Sequence, residues 1–403
     1  MSFADILQGL DARDRAKLER KMPSWAGAEV TVPASINLEQ CSSETAALYK
    51  AGLVAAGARV ADLTGGLGAD SWAFSRRASR VWYNERDSVL LEAVKRNFAA
   101  LGVDNVSFSG YDVSAESDGW KTALTEFAPD AIYLDPARRN SAGRKVFLLE
   151  DCSPDVVSLM PQLLKLAPLV MVKVSPMADL TMLQRRLAGY ISELHVVGAD
   201  GECKEVLCIC RRSADAVSIR LVEDGWQFSE RQDSGETDAG GVSGNHRRPW
   251  RPRRADVPWG TSGGEFASQR REGPTLAWEG RSEAEVSGGT TCAVEPESAG
   301  SLLFVPSAAL TKSGLGPGIS LMEYDAQLAH FGKFWQVVEN LPFASSAIKD
   351  LSRRCPQAEV TARGVQLSSE ELRRKLGAKP GGKLHIFACN LGGERRLLVC
   401  KAE

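Results

Sequence analysis

The chain has 403 residues, 43% of them hydrophobic, and 49 Lys plus Arg against 51 Asp plus Glu give a formal net charge of −2. That length holds two or three domains with real cores. Near-neutrality excludes the global basic field of an indiscriminate nucleic-acid binder but leaves a local basic patch open. No apolar run reaches the roughly 18 residues of a membrane span. The start, Met1-Ser-Phe-Ala-Asp-Ile6, lacks the basic and apolar regions of a signal peptide, so the expectation is a cytoplasmic protein. Nine cysteines without a CxxC spacing read as reduced thiols, and Cys208 and Cys210 fall on one face of a strand. The four histidines (His195, His246, His330, His385) stand far apart, so no metal site is expected.

In chain order, Phe3 to Met22 reads as one or two short surface helices carrying Phe3, Ile6, Leu7, Leu10 and Leu18 among many charges. A helix follows Cys41, with Ser42 or Ser43 as N-cap and Glu44 in its first turn. From Ala58 strands and helices alternate. Strands are expected at Arg59–Asp62, Arg80–Glu85, Val106–Phe108, Asp130–Asp135 and Leu169–Val174, and helices at Ala69–Ala78 and after Asp87, which reads as an N-cap. Glu193–Val197 and Glu205–Cys210 then pair as an antiparallel hairpin. Such alternation predicts an α/β domain with a parallel sheet covered by helices, its ligand beyond the carboxyl ends of the strands. Ser229 to Gly300 is rich in Gly, Ser, Arg and Glu and includes His246-Arg-Arg-Pro-Trp-Arg-Pro-Arg-Arg254; it reads as a disordered insertion. Residues 355–403 read as a β-α-β-β module: strand Ala358–Arg363, a helix opened by the capping box Ser368 and Glu371 with a Leu367/Leu372 staple, then strands Leu384–Cys389 and Arg396–Cys400.

The chemistry-bearing residues fall at strand ends. After the first strand comes Asp62-Leu-Thr-Gly-Gly-Leu-Gly68. Its glycines Gly65, Gly66 and Gly68 let the backbone approach a ligand, and the helix that follows adds free N–H groups. The spacing is not the G-x-G-x-x-G of pyrophosphate binders. Glu85 ends the second strand, where an acid accepts from both ribose hydroxyls; the alternative is a strand-end acid exposed to water. Asp112 follows the third strand and either accepts from an adenine amino group or caps a helix. Asp135-Pro136 ends the fourth strand. It is either a plain turn or a side-chain oxygen and backbone carbonyl that orient an exocyclic amine. Arg138, Arg139, Arg144 and Lys145 could meet phosphates or form a solvated charge run. Lys173 sits inside an apolar strand, facing substrate or paired with an acid. Gln40 and Ser42 could close over the cofactor.

The loop fits D-x-x-x-G-x-G, so the chain resembles class I S-adenosylmethionine (SAM)-dependent methyltransferases over about residues 40–212. Leu38-Glu-Gln-Cys-Ser-Ser43, Asp62–Gly68, Asp135-Pro-Ala-Arg-Arg139 and Val172-Lys-Val-Ser-Pro-Met177 look like the bacterial subgroup with a C-terminal THUMP-like domain. The resemblance implies a Rossmann-like seven-stranded sheet at 58–212 behind a helical extension at 1–57. It also implies a ferredoxin-like α+β domain at 213–354 interrupted by the 229–300 insertion, and a THUMP-like module at 355–403. It implies SAM as cofactor, held by Asp62, Thr64, Gly65, Gly66, Gly68, Glu85 and Asp112. Asp135 and Pro136 become catalytic, and Arg138, Arg139 and Lys173 substrate-binding. The acceptor implied is a base nitrogen of tRNA or rRNA; the alternatives are a small-molecule or protein acceptor, or an RNA-binding protein that no longer transfers methyl groups. Two departures stand out. Residues 229–300 interrupt the middle domain, and Arg138 stands where many amino methyltransferases place the aromatic that stacks a flipped base.

Overall fold

The computed structural model describes residues 11–137, 149–214, 216–229, 253–254 and 302–402. They form two compact units: the described residues up to 254 together with 307–316, and the described remainder.

The first unit is built on a sheet of β1 (Arg59–Asp62), β2 (Arg80–Asn84), β3 (Val106–Ser109), β4 (Ala131–Leu134), β5 (Leu169–Val174), β6 (Ile191–Ala199), β7 (Glu202–Cys210), β8 (Ser218–Glu223), β9 (Trp226–Ser229) and β10 (Arg253–Arg254). The spatial order is β10-β9-β8-β6-β7-β5-β4-β1-β2-β3. β1 pairs in parallel with both β2 and β4, so the chain runs outward in opposite directions from this central pair. A crevice opens at such a reversal, beyond the carboxyl ends of the strands. β7 is antiparallel to both β5 and β6, the hairpin expected from their short connection.

The helices are α1 (Ala12–Lys21), α2 (Ser35–Gln40), α3 (Glu44–Gly52), α4 (Ala69–Ser75), α5 (Ser88–Ala100), α6 (Gly119–Phe127), α7 (Val156–Leu166), α8 (Leu180–Arg186) and α9 (Ala308–Ser313). Side-chain caps start several of them: Ser43 for α3, Asp87 for α5, Asp155 for α7 and Asp179 for α8 each accept backbone N–H groups of the first turn. Ser43, not Ser42, caps α3, because Ser42 is used elsewhere. Leu18, Met22, Trp25, Leu38 and Ala47 join the same core cluster as Val60, Val81, Tyr83 and Tyr133. Side chains between Leu18 and Val54 thus belong to the sheet domain's core. Trp25 is fully buried, edge-on to Trp72 at 6.0 Å. Each fully buried side chain of this kind contributes about 1.5–3 kcal/mol.

The seven strands expected over 58–212 are β1 to β7, and three more strands join them. β8 pairs in parallel with β6, and β9 and β10 follow it antiparallel, giving ten. β6 would otherwise be an open edge, and an unpaired edge recruits strands. α9 belongs here too, because its N-cap Ser307 donates to Glu223 Oε2 at 2.6 Å and Ala309 lies against Gly198.

The second unit is a six-stranded sheet of β11 (Leu302–Pro306), β12 (Ser320–Met322), β13 (Gly332–Pro342), β14 (Glu359–Arg363), β15 (Leu384–Leu391) and β16 (Glu394–Ala402), in the order β12-β11-β13-β16-β15-β14. The ferredoxin-like domain expected over 213–354 is therefore shared out. β8 and β9 extend the large sheet, while β11, β12 and β13 build the small one. α10 (Ser345–Arg354) and α11 (Ser369–Leu376) bury Leu351, Leu372 and Leu376 against Val360, Ile386 and Leu397. The capping box forms as read: Ser368 Oγ accepts from Glu371 N, and Glu371 Oε2 accepts from Ser368 N at 2.8 Å. The β14-α11-β15-β16 succession is the β-α-β-β module. The expected 229–300 insertion lies outside the described residues except for Ser229 and β10, as do Arg138, Arg139, Arg144 and Lys145.

Candidate active site

The carboxyl ends of β1, β2 and β4 lie side by side, with Asp62 in register with Tyr83 and with Tyr133. The chain leaves β1 through Thr64-Gly65-Gly66-Leu67-Gly68 and enters α4. Gly66 (φ 55°) and Gly68 (φ 87°) occupy the left-handed region that glycine tolerates. Gly65 is required for space: a Cβ there would lie 2.1 Å from Tyr83 Cε2. Tyr83 cannot yield easily. Its hydroxyl donates to Gly66 O at 2.6 Å, and its ring meets Phe98 and Phe108 edge-on. Gly65 N donates to Asn84 O at 2.8 Å, fastening the loop to the end of β2.

Asp62 shapes this loop from within. It is fully buried; Oδ1 accepts from Thr64 N at 3.1 Å and Oδ2 from Ser71 Oγ at 2.7 Å. Burial pushes its carboxyl up to about 8. Thr64 ties the loop to β4, its Oγ1 accepting from Asp135 N at 2.6 Å.

Glu85 reaches back over the loop. Its Oε2 accepts from Gly66 N at 3.0 Å and its Oε1 from Asp87 N at 2.9 Å. The carboxylate therefore stands at the loop's mouth. Asp112 is exposed and 3.4 Å from Arg86 Nη1; it caps no helix, because Asp118 precedes α6. Beside it Tyr111, 38% exposed, stacks on Trp82 with ring centroids 6.1 Å apart. Buried Asn84 organises this corner. Its amide donates to Leu63 O and Tyr111 O, and its oxygen accepts from Ser109 Oγ and Tyr111 N.

At the end of β4, Asp135 is half-buried and Pro136 buried. Lys173 Nζ lies 2.5 Å from Asp135 Oδ2. Of the two readings of Lys173, the pairing with an acid is the one formed. Burial alone would depress the ammonium, but the charges of Asp135, Glu205 and Asp70 outweigh it and hold Lys173 above its ordinary range.

Behind this pair lies a buried polar cluster. Lys50 of α3, fully buried, contacts both Glu205 oxygens at 2.8 Å, Ser42 Oγ at 2.8 Å and Asp70 Oδ1 at 3.0 Å. Tyr133 and Ser42 donate to Asp70 Oδ2, each at 2.9 Å. Burial raises Glu205; Asp70 feels the same burial, but Lys50 and Lys173 outweigh it and hold its carboxyl down. Ser42 is thus a buried partner of this cluster, and Gln40 is exposed at the end of α2. Asn84, Tyr83, Lys50, Asp70 and Glu205 were not singled out from sequence. Lys50 carries no distinguishing signal there, since a lysine in the last turn of a helix is ordinary. Asn84, a polar residue inside an apolar strand just before Glu85, was the one with a readable cue.

The fold is that of the class I methyltransferases. It is similar over 100% of this chain, and 94% of the other, to the crystal structure of a protein from Porphyromonas gingivalis W83 assigned as a methyltransferase, with 24% identity and a TM-score of 0.69. Residues 332–402 match the family described as THUMP domain-like, so the chain also carries a THUMP-like domain. The match begins with β13 and includes α10, upstream of the boundary at 355 read from the sequence. Two other structures overlap smaller parts: a tRNA (m1A58) methyltransferase from Aquifex aeolicus (16% identity, 47% of this chain, 74% of that one, TM-score 0.33) and an rRNA methylase from Streptococcus thermophilus (10%, 42%, 95%, 0.31). Likeness at those scores carries no weight for function. No curated protein matches the sequence.

Proposed function

We propose that this protein is a SAM-dependent methyltransferase that modifies a base nitrogen of structured RNA, tRNA or rRNA. One observation carries the transferase reading: a single glycine loop is hydrogen-bonded both to Glu85, through Gly66 N, and to the backbone of Asp135, through Thr64 Oγ1. The cofactor acid and the acceptor residue are thereby held on one rigid element. The site fits SAM. Gly65 and Gly66 keep the loop bare of side chains, Glu85 would supply a carboxylate for a vicinal diol, and the exposed Tyr111 and Asp112 would receive the adenine. Asp62 acts indirectly, by fixing Thr64 and Ser71.

When bound, SAM supplies an electrophilic methyl group on a sulfonium, which needs no metal. The protein's part is positioning. Glu85 exchanges its bonds to Gly66 N and Asp87 N for the ribose hydroxyls. Asp135, gripped at Oδ2 by Lys173, keeps Oδ1 to accept an N–H of the target amine, and Pro136 O is the second acceptor. That pair turns the nitrogen lone pair toward the methyl group. Lys173 acts on the base through Asp135, as a positioning residue.

The RNA reading is supported by the THUMP-like match and by charge. Residues 332–402 hold 13 Lys plus Arg against 6 Asp plus Glu, a net of +7, in a chain whose total is −2. Near-neutrality of the whole conceals a basic domain, which gives a salt-dependent grip on phosphate. The test is to incubate the protein with methyl-labelled SAM and fractionated cellular RNA, then to identify the labelled nucleoside by mass spectrometry. Label is expected in one RNA class, and Asp135→Ala should abolish it while leaving SAM affinity nearly intact. Full turnover in that variant removes Asp135 from the mechanism; label only in protein or small molecules refutes the RNA acceptor.

A further inference from the structure

The segment Val172-Lys-Val-Ser-Pro-Met177 has its lysine in the candidate site, but its methionine has no role there. Met177 is 85% exposed, more than any other large hydrophobic side chain among the described residues. A single exposed apolar side chain is ordinary on a protein surface. This one differs in two respects. Its backbone is fastened, and it follows the strand whose lysine grips Asp135.

The turn is fastened from within and from outside. Met177 N donates to Ser175 Oγ at 3.1 Å and Ala178 N to Ser175 O at 3.0 Å. Asp179 then caps α8, accepting from Met182 N at 3.0 Å. From the other side Lys312 Nζ of α9 donates to Ala178 O, across 134 positions of sequence. Strand directions explain how α9 comes to be there. β6 is antiparallel to β7 and β7 to β5, so β6 runs with β5; β8 is parallel to β6, and β4 to β5. The carboxyl ends of β4, β5, β6 and β8 therefore share one edge of the sheet. α9 is fixed at that edge: Ser307 donates to Glu223, Ala308 N donates to Gly201 O at 3.1 Å, and a Cβ on Gly198 would lie 2.6 Å from Ala309 Cβ.

The acceptor end of the site lacks a surface for a ring. Asp135 and Pro136 offer oxygens to an amine. A base drawn out of its stack also needs apolar or aromatic contact to replace what it left, and the motif position that often supplies an aromatic holds Arg138. Among the exposed large hydrophobic side chains of the first unit, Tyr111 follows β3 at the cofactor end and Ile36 lies on α2, while Met177 and Met182 follow β5. The polarizable thioether of methionine makes favourable contacts with aromatic rings.

The geometry points to Met177 as the apolar contact for the target base, on a turn that Lys312 holds in position. This inference rests on the base-nitrogen reading above and names the side chain that receives the base. Met177 touches substrate; Lys312 is a positioning residue.

The test measures initial rates of methyl transfer from labelled SAM to bulk cellular RNA at varied RNA concentration, with SAM affinity taken by calorimetry. Met177→Ala and Met177→Gln should each lower kcat/KM for RNA about tenfold, the loss of one apolar contact, because Gln keeps the shape but not the apolarity. Met177→Leu should stay within about threefold of the parent, and SAM affinity should be unchanged in all three. Lys312→Met should lower kcat/KM about 2- to 10-fold, and Lys312→Arg, which keeps a donor, should recover most of it. In the parent, bulk RNA added with S-adenosylhomocysteine should slow peroxide oxidation of Met177, followed by peptide mass spectrometry. Met177→Ala within about twofold of a parent that methylates RNA overturns the contact and spares the RNA reading. Weakened SAM binding in that variant assigns Met177 to the cofactor and overturns it too. Equal impairment in Lys312→Met and Lys312→Arg overturns the positioning role. A parent that labels no RNA overturns both the contact and the reading it rests on.

Discussion

Replacing Gly65 by alanine tests the cofactor loop with the smallest available change. The added methyl would sit 2.1 Å from Tyr83 Cε2 and 2.5 Å from two more ring atoms. Ordinary carbon contact begins at 3.4 Å, so one partner must retreat by more than an ångström. Tyr83 is held by Phe98, Phe108 and its bond to Gly66 O, so the loop moves. Overpacking of this kind costs about 1–3 kcal/mol of stability. A displacement of ~1 Å in a positioning element costs on the order of 100-fold in function. SAM affinity, measured by calorimetry, should therefore fall about 100-fold while urea denaturation reports only a modest loss of stability. Tyr83→Leu shortens the obstructing ring. If the clash is the cause, combining it with Gly65→Ala should recover part of the affinity, as a coupling of about 0.5–3 kcal/mol. SAM affinity within twofold of the parent in Gly65→Ala would refute the reasoning, because the loop could then tolerate bulk where a ligand's backbone contacts are required.

Other outcomes follow from the same geometry. Glu85→Ala should weaken SAM binding at least tenfold, since hydrogen bonds to an ionised group are each worth about 1.5–3 kcal/mol; unchanged affinity by calorimetry would remove Glu85 as the ribose acid. Lys50→Met should destabilise the first unit by about 3–5 kcal/mol, because it leaves Asp70 and Glu205 buried without their cation; chemical denaturation that moves by less than 1 kcal/mol would show the cluster is not held as described. The carboxyl of Asp62 rises from an ordinary 3.8 to about 8 on folding, so the folded state holds a proton that the unfolded chain has released. Its contribution is full below pH 3.8 and is lost as pH climbs toward about 8. Asp62→Asn should flatten that decline in denaturation midpoints taken across the same range; a decline that persists unchanged in the variant assigns it to other groups.

Much of both units was legible because the cues are local. Asp87 and Ser43 cap helices, Ser368 and Glu371 form the capping box, and the strands from Arg59 to Val174 are short apolar runs between turn residues. The candidate site residues were legible for a related reason. In an open α/β sheet, ligands meet the carboxyl ends of strands, so Asp62, Glu85, Asp135 and Lys173 could be picked out by where their strands stop. Asp62 was assigned to the ligand, yet it is buried and spends both oxygens on Thr64 and Ser71. Strand β8 was assigned to a middle domain because nothing within Ser218–Glu223 says which sheet it joins; that depends on the open edge of β6, formed far earlier in the chain.

The glycine spacing, the acid at the end of β2 and the Asp-Pro at the end of β4 by themselves determined the class of fold and where its candidate site lies, because loop conformation and strand termination are written in neighbouring residues. Tertiary structure alone decided the partners. Lys173 meets Asp135 across 38 positions and Lys50 meets Glu205 across 155. Sequence separation carries no information about such pairings, because burial makes each charge depend on whichever opposite charge the sheet brings beside it.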